Sequence, residues 1–167
     1  MLDAAVIAAS LCLARSDLGP KARPIPAETG RARAVSDLAS ILPARAKALL
    51  PASDHFQKAW RLPGEEIVSS AFVFSTPERA YAVWWAVNGV FGHVYRPRAA
   101  MVSLGGPQLT GFVIADALQE LAFVQTGRVL WSVSVLDFRS ATPGEREREF
   151  RRMLALAKLQ HRRVGRG

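Results

Sequence analysis

The sequence predicts an α+β domain in which an antiparallel sheet, including a C-terminal hairpin, is covered by two or three helices. Three observations predict this class: period-2 apolar alternation over residues 65–74, two β-rich runs on either side of Gly127, and a capped helical pattern after each of these segments. A chain of 167 residues, half of them apolar, is long enough to bury one core. We therefore expect a single α+β domain over residues 34–164.

The chain begins with an apolar leader, residues 1–14, which has the length of the apolar h-region of a secretory signal peptide and is too short to span a bilayer. No basic residue precedes the apolar run, Asp3 is acidic, and Leu11 before Cys12 does not fit a lipoprotein motif. Three alternatives stay open for this leader: a cleaved signal peptide, a membrane-bound segment, or a helix packed on the domain. Any membrane contact is expected through this segment alone.

Residues 15–33 contain three prolines, two glycines and several charges without periodicity, which is typical of a linker. The segment that follows, LASILPARAKALL, has apolar residues at helical spacing, but Pro43 interrupts it and cannot donate a helical hydrogen bond. We expect one short helix before Pro43 and a second that ends before Pro51.

Residues 65–74, EEIVSSAFVF, have the clearest strand pattern in the chain. One face would carry Val68, Ser70, Phe72 and Phe74, and the other Ile67, Ser69, Ala71 and Val73. Both faces are fairly apolar. Ser75 or Thr76 then provides a helix cap before Pro77, so we expect a helix over residues 77–91 that Gly92 closes.

Two adjacent tryptophans lie on this helix, and neighbouring helical positions differ in direction by about 100°. Trp84 belongs to the apolar stripe and is predicted to lie in the core. The candidate site for a ligand or a protein partner is the flank formed by Tyr81, Trp85 and Asn88. The alternative for Trp85 is a boundary position packed under the N-terminal segment.

Residues 95–111 are rich in Pro and Gly and are expected to be irregular, whereas residues 117–138 predict an antiparallel hairpin that turns at Gly127. The second strand would carry Val129, Trp131, Val133 and Val135 on one face and Leu130, Ser132, Ser134 and Leu136 on the other. The serine-containing face is more polar, as expected for a strand with one face better buried.

Thr142, Pro143 and Glu145 predict a capped final helix that continues to about Arg163. Its apolar stripe is expected to consist of Phe150, Met153, Leu154, Ala157 and His161. Residues 139–167 hold nine basic and three acidic residues, which accounts for most of the formal charge of +8.

This basic helix suggests an alternative function, an intracellular nucleic-acid-binding module that would use Arg151, Arg152, Arg162 and Arg163. Glutamates alternate with the arginines, and the pairs Glu145–Arg148, Glu147–Arg151 and Glu149–Arg152 have the spacing of helical ion pairs. Such pairing favours a solvated helix face over a phosphate-binding one.

Composition and motifs argue against common chemistries. Cys12 is the single cysteine, so no intrachain disulfide or cysteine-rich metal site can form. His55, His93 and His161 have no partner at a recognised ligand spacing, and neither a phosphate-binding loop nor a nucleophile elbow is present. We therefore predict no catalytic residue, metal or cofactor. The one enzymatic alternative that stays open is an active site assembled from residues that are far apart in the sequence.

Four segments together carry a family resemblance: LASILPARAKALLP, VSSAFVFSTPERAYAVW, LAFVQTGRVLWSVSV and ALAKLQHRR. Over residues 36–163 the chain resembles the small exported sensor-like and lipoprotein domains of high-GC Gram-positive bacteria, which are similar in outline to the PsbP-like α+β sandwich. The resemblance implies envelope-associated binding or sensing, and most of these domains have no known catalytic residues.

The functional expectation is a non-catalytic binding or sensing domain, secreted or attached to the cell envelope. Its partner would be another protein or a small apolar ligand held between the sheet and the helices. A cytoplasmic location goes with the nucleic-acid alternative.

Overall fold

The computed structural model describes residues 4–50, 54–94, 98–102, 109–114, 119–137 and 142–165. The helices are α1 (Ala4–Leu11), α2 (Arg15–Leu18), α3 (Arg31–Ile41), α4 (Ala44–Lys47), α5 (Pro77–Val94) and α6 (Pro143–Val164), with a 3₁₀ turn at Pro26–Glu28. The strands are β1 (Arg23–Pro24), β2 (Asp54–Leu62), β3 (Glu65–Val73), β4 (Arg98–Val102), β5 (Leu109–Ile114), β6 (Gln119–Thr126) and β7 (Val129–Asp137). Within these residues, the strands form one antiparallel sheet in the order β1-β2-β3-β7-β6-β5-β4.

Helices cover both faces of this sheet. One core lies between the sheet and helices α1 and α6, and the other lies between the sheet and helices α3, α4 and α5. The predicted α+β class, with an antiparallel sheet that includes the late hairpin, is confirmed.

The alternation predicted for β3 decides which core each residue enters. Ile67 and Ala71 are fully buried on the α1/α6 side, whereas Phe72 and Phe74 are buried on the α3/α5 side. Because β3 is central and covered on both faces, its two apolar faces are both used.

The hairpin of β6 and β7 also follows its prediction. Thr126 pairs with Val129, and Gly127 takes a φ of 54° in the two-residue turn between them, a value that glycine adopts without a steric penalty. Trp131 and Val133 are fully buried in the α1/α6 core, and Leu130 is fully buried in the opposite one.

The expectation of an irregular stretch over residues 95–111 is wrong, because β4 and part of β5 lie within it. These strands add to the sheet through pairing of β5 with β6 and of β4 with β5. They are short and lie beside Pro and Gly, so their period-2 signal is weak. Cross-strand pairing, a tertiary effect, determines their conformation.

The N-terminal segment is packed against the sheet. Ala8, Leu11, Cys12 and Leu13 are buried in the core that contains α6. The Leu13 backbone N–H donates to Ser69 Oγ at 2.9 Å. Among the described residues, no helix is both long enough and apolar enough to cross a membrane.

Residues 15–33 run along the outer edge of β2 and do not form a free linker. The Ile25 N–H donates to the Ala59 carbonyl and the Gly30 N–H to the Gln57 carbonyl, both at 2.9 Å. Helix α3 consequently begins at Arg31, earlier than its apolar spacing indicates. Strand β2 itself was not predicted from periodicity.

Helices α5 and α6 begin at their predicted caps, but α5 extends past the end predicted at Gly92. Thr76 accepts a hydrogen bond from the Arg79 N–H at 3.3 Å, and α5 then continues through Gly92 to Val94. Thr142 and Glu145 form the predicted capping box at the start of α6. The buried face of α6 includes the expected Met153 and Ala157 together with Leu156, Gln160 and Val164.

Candidate ligand-binding site

A cleft of about 500 Å³ lies between α3 and the sheet, on the side opposite α1 and α6. This volume is within the range of about 300 to 1,000 Å³ that is common for small-molecule sites. The described lining residues come from α3, the turn before it, and strands β2, β3, β6 and β7: Glu28, Arg33, Ala34, Asp37, Leu38, Ser40, Ile41, Gln57, Glu66, Val68, Ser70, Phe72, Leu121, Phe123, Ser132, Ser134 and Leu136.

The floor of the cleft contains a row of hydroxyl groups that the sheet register creates. Ser70 on β3 lies opposite Ser132 on β7, and Ser134 lies opposite Val68. The hydroxyls of Ser70 and Ser132 are 2.6 Å apart and hydrogen bonded. All three serines are less than a tenth exposed. Because serine side chains are short, they leave volume above the central strands that leucine or phenylalanine would fill.

The walls of the cleft are largely apolar. Phe72 and Leu121 border the serine row from β3 and β6, and Leu38 faces it from α3. A mainly apolar surface with a few placed polar groups is the usual composition of a ligand pocket.

The charged residues of the cleft are paired within the chain. Arg33 contacts Glu28 at 2.9 Å and Asp37 at 3.1 Å. Glu66, at the far end, is paired with Arg61 at 2.5 Å. Two arginines thus serve three carboxylates, which leaves the rim slightly acidic.

Gln57 joins the α3 wall to the floor. Its Nε2 donates to the Glu28 carbonyl at 3.0 Å and to Asp37 Oδ2 at 3.1 Å. Both amide hydrogens are therefore used, and the buried carboxamide holds α3 in register over β2.

The described lining residues include no His or Lys that could act as the general base for a serine nucleophile. The groups present, which are hydroxyls, a carboxamide and apolar side chains, are suited to holding a ligand by burial and hydrogen bonding. In the described part of the chain, no group of three or more His, Cys, Asp or Glu residues is arranged to hold a metal ion.

The aromatic residues predicted from the sequence lie elsewhere, on the outer face of α5. Tyr81 is 52% exposed and Trp85 is 60% exposed, with ring centroids 6.4 Å apart and ring planes 20° apart. Asn88 is half-buried on the same helix. None of the three lines the cleft.

Trp84 is 9% exposed and its Nε1 donates to the Phe123 carbonyl at 3.4 Å, which confirms its place in the core. The alternative that packs Trp85 under the N-terminal segment is wrong, because α1 covers the opposite face of the sheet.

Three of the four arginines of the nucleic-acid alternative form ion pairs within the chain. Arg151 contacts Glu147 at 2.9 Å, the pair that the helical spacing predicts. Arg152 reaches Glu65 on β3 at 2.5 Å, a tertiary contact that helical spacing does not reveal. Arg163 contacts Asp17 at 2.8 Å, and Arg162 is exposed.

The histidines do not form a common site in the described structure. The His55 ring lies 6.0 Å from that of Phe72, and the His161 ring lies 6.0 Å from that of Trp131 on the other side of the sheet. His161 Nδ1 is buried and has no hydrogen-bond partner among the described groups. The side chain of His93 lies outside the described residues.

Sequence reasoning did not identify the cleft. The one signal was the polar centre of one strand face, Ser132 and Ser134, together with Ser70 on the other predicted strand. The α3 wall could not be inferred, because it depends on β2 and on the segment interpreted as a linker.

Comparison with known proteins shows a similarity of fold and no similarity of sequence. No protein-family model matches the chain, and no curated protein sequence matches it. Among solved structures, the chain is similar to the extracellular domain of PknH from Mycobacterium tuberculosis, with a TM-score of 0.51, 11% sequence identity and 96% of each chain covered. The two chains thus share a fold over nearly their whole length.

Proposed function

We propose that this chain is a non-catalytic binding domain, exported or associated with the cell envelope, that holds a small and largely apolar ligand in the cleft between α3 and the sheet. The observation that carries the proposal is the cleft of about 500 Å³, with apolar walls and a floor of buried hydroxyls. The binding energy would come from apolar burial, and the hydroxyls would orient the ligand.

Binding in the cleft can be tested with Nile red, an uncharged fluorophore that brightens in apolar surroundings. We expect wild-type protein to enhance its fluorescence and Val68→Trp, which fills the cleft from β3, to weaken binding at least about tenfold. The matched control is Ala155→Trp, because Ala155 is exposed on α6, behind the opposite face of the sheet. Equal binding by wild type and a folded Val68→Trp protein would place the ligand elsewhere and reject the proposal.

Export is supported by the similarity of the fold to an extracellular domain. Fractionation of the native cells, with N-terminal sequencing of the recovered chain, tests it. We expect the protein outside the cytoplasm. Recovery of a chain with intact Met1 from the cytoplasmic fraction would reject export in favour of the cytoplasmic alternative.

A protein partner is the second candidate, and the observation that favours it is the exposure of Tyr81 and Trp85 on α5. Tyrosine and tryptophan are enriched at protein interfaces, and both of these side chains are more than half exposed. In this arrangement the partner would contact Tyr81, Trp85 and Asn88, on the surface of a helix that also covers the core.

Nucleic-acid binding stays the alternative for an intracellular protein. It predicts binding to DNA that weakens steeply with salt and disappears when Arg151, Arg152, Arg162 and Arg163 are replaced together by Ala. The ion pairs of three of these arginines reduce the positive charge that they offer to phosphates. Binding that does not change with salt would exclude this alternative.

A further inference from the structure

The hydrogen-bonding groups on the cleft floor restrict the ligand that it can hold. In the pair formed by Ser70 and Ser132, one hydroxyl proton is used between the two oxygens. The second proton has no acceptor among the described residues, so the pair can still donate one hydrogen bond and accept others.

Gln57 supplies an acceptor in the same row, because it lies opposite Ser70 in the β2–β3 register. Both of its amide hydrogens are engaged, by the Glu28 carbonyl and by Asp37. Its Oε1 has no partner among the described residues, and opposing side chains in an antiparallel pair lie about 5 Å apart. The floor therefore offers a donor and an acceptor side by side.

The charged groups offer little to an ionic ligand. Glu28, Arg33, Asp37 and Glu66 are all paired within the chain. An ionic headgroup would have to leave water for a largely apolar cleft without gaining a free counter-charge, which is costly. A carboxylate could only accept hydrogen bonds from the floor, and an ammonium group could only donate them.

We infer, on the basis of the proposed function, that the ligand of the cleft is an uncharged amphiphile, with an apolar chain or ring along Val68, Phe72 and Leu121 and a hydroxyl or amide headgroup on Ser70, Ser132 and Gln57. Hydroxyl and primary amide groups both donate and accept, as the floor requires.

Three probes with the same ten-carbon chain test this inference: 1-decanoylglycerol, decanoate and decylammonium, each below its micellar concentration at about pH 7. Displacement of Nile red from the wild-type chain gives their affinities. We expect 1-decanoylglycerol to bind at least about tenfold more tightly than either ion. Its affinity should change less than about twofold between about 0.05 and 0.5 M NaCl.

Two serine variants locate the headgroup. Ser132→Ala should weaken binding of 1-decanoylglycerol by up to about tenfold, as expected for the loss of one hydrogen bond, and leave Nile red binding within about twofold. Ser40→Ala is the matched control, because Ser40 lines the cleft but bonds to the Asp37 carbonyl and lies off the floor. It should change neither affinity.

The outcomes separate this inference from the proposed function. Tighter displacement by decanoate or decylammonium would overturn the uncharged ligand but leave the cleft as a binding site. Failure of the wild-type chain to bind Nile red or any of the three probes would overturn both. Equal effects of Ser132→Ala and Ser40→Ala would reject the headgroup position.

Discussion

Gln160 on α6 and Ser69 on β3 are joined by a buried hydrogen bond of 2.8 Å across 91 positions of sequence. Ser69 Oγ also accepts from the Leu13 N–H, and Gln160 Nε2 donates to the Ser70 carbonyl at 2.9 Å. One polar network therefore ties α6 and the N-terminal segment to β3. The Ser70 side chain enters the cleft from the opposite face of that strand.

Replacing Gln160 with Leu should lower the free energy of unfolding by about 1 to 3 kcal/mol, because the Ser69 hydroxyl loses its acceptor in a buried site. Urea unfolding measures the change. Lys158→Leu, at an exposed position of the same helix, should stay within about 0.5 kcal/mol of wild type. Equal midpoints for the two variants would mean that the network contributes nothing.

Adjacent arginines on α6 should differ in their contribution to stability. Arg152 pairs with Glu65, whose side chain is 7% exposed, whereas the Arg151–Glu147 pair is 74% and 58% exposed. Arg152→Met should cost about 1 to 3 kcal/mol, since it removes a partner from a buried carboxylate, and Arg151→Met less than about 0.5 kcal/mol. Chemical unfolding of both variants makes the comparison, and a larger cost for Arg151→Met would contradict it.

Of the two neighbouring tryptophans, Trp84 should contribute to stability and Trp85 to binding of a partner. Trp84→Ala removes a buried ring and should cost about 3 kcal/mol of unfolding free energy, whereas Trp85→Ala should cost less than about 0.5 kcal/mol. If a protein partner binds the outer face of α5, Trp85→Ala should also abolish binding of an envelope protein that binds the wild-type chain. Arg151→Ala, a change at an exposed position on α6, is the control and should leave that binding intact. Unchanged binding would leave Trp85 without a functional role.

The Cys12 thiol should be unreactive in the folded chain. Burial raises its pKa from 9.0 to about 12, even though the Lys58 charge opposes this shift. Near pH 8 the fraction of reactive thiolate is therefore roughly a thousandfold lower than for a thiol whose pKa is 9.0. We expect iodoacetamide to label Cys12 only after unfolding, as followed by mass spectrometry. Native labelling at the unfolded rate would show that the N-terminal segment is not packed in solution.

The same shift predicts the pH dependence of stability. The folded state holds the Cys12 thiol proton more strongly than the unfolded state does. The resulting contribution to the free energy of unfolding is therefore fully present below pH 9.0 and is lost as the pH rises to about 12. Cys12→Ala, which has no thiol to titrate, should lose less stability than wild type across this window. Parallel losses in the two proteins would contradict the prediction.

Local patterns were sufficient for the elements whose signals lie within a few residues. The alternation in β3, the glycine turn of the hairpin, and the Thr142–Glu145 capping box depend on side chains one to three positions apart, and all three are confirmed. The separation of Trp84 from Trp85 follows in the same way from helical geometry alone.

The cleft and the packing of the N-terminal segment depended on tertiary structure. Residues 15–33 read as a linker by composition, yet backbone hydrogen bonds to β2 hold them in place and position α3 as a wall. The Ser70–Ser132 pair spans 62 positions, and the Gln160–Ser69 bond spans 91. The sequence by itself determined which residues alternate, turn and cap, because those preferences are local. Only the folded chain decided which hydroxyls meet and where space remains, because these depend on strand register and helix placement.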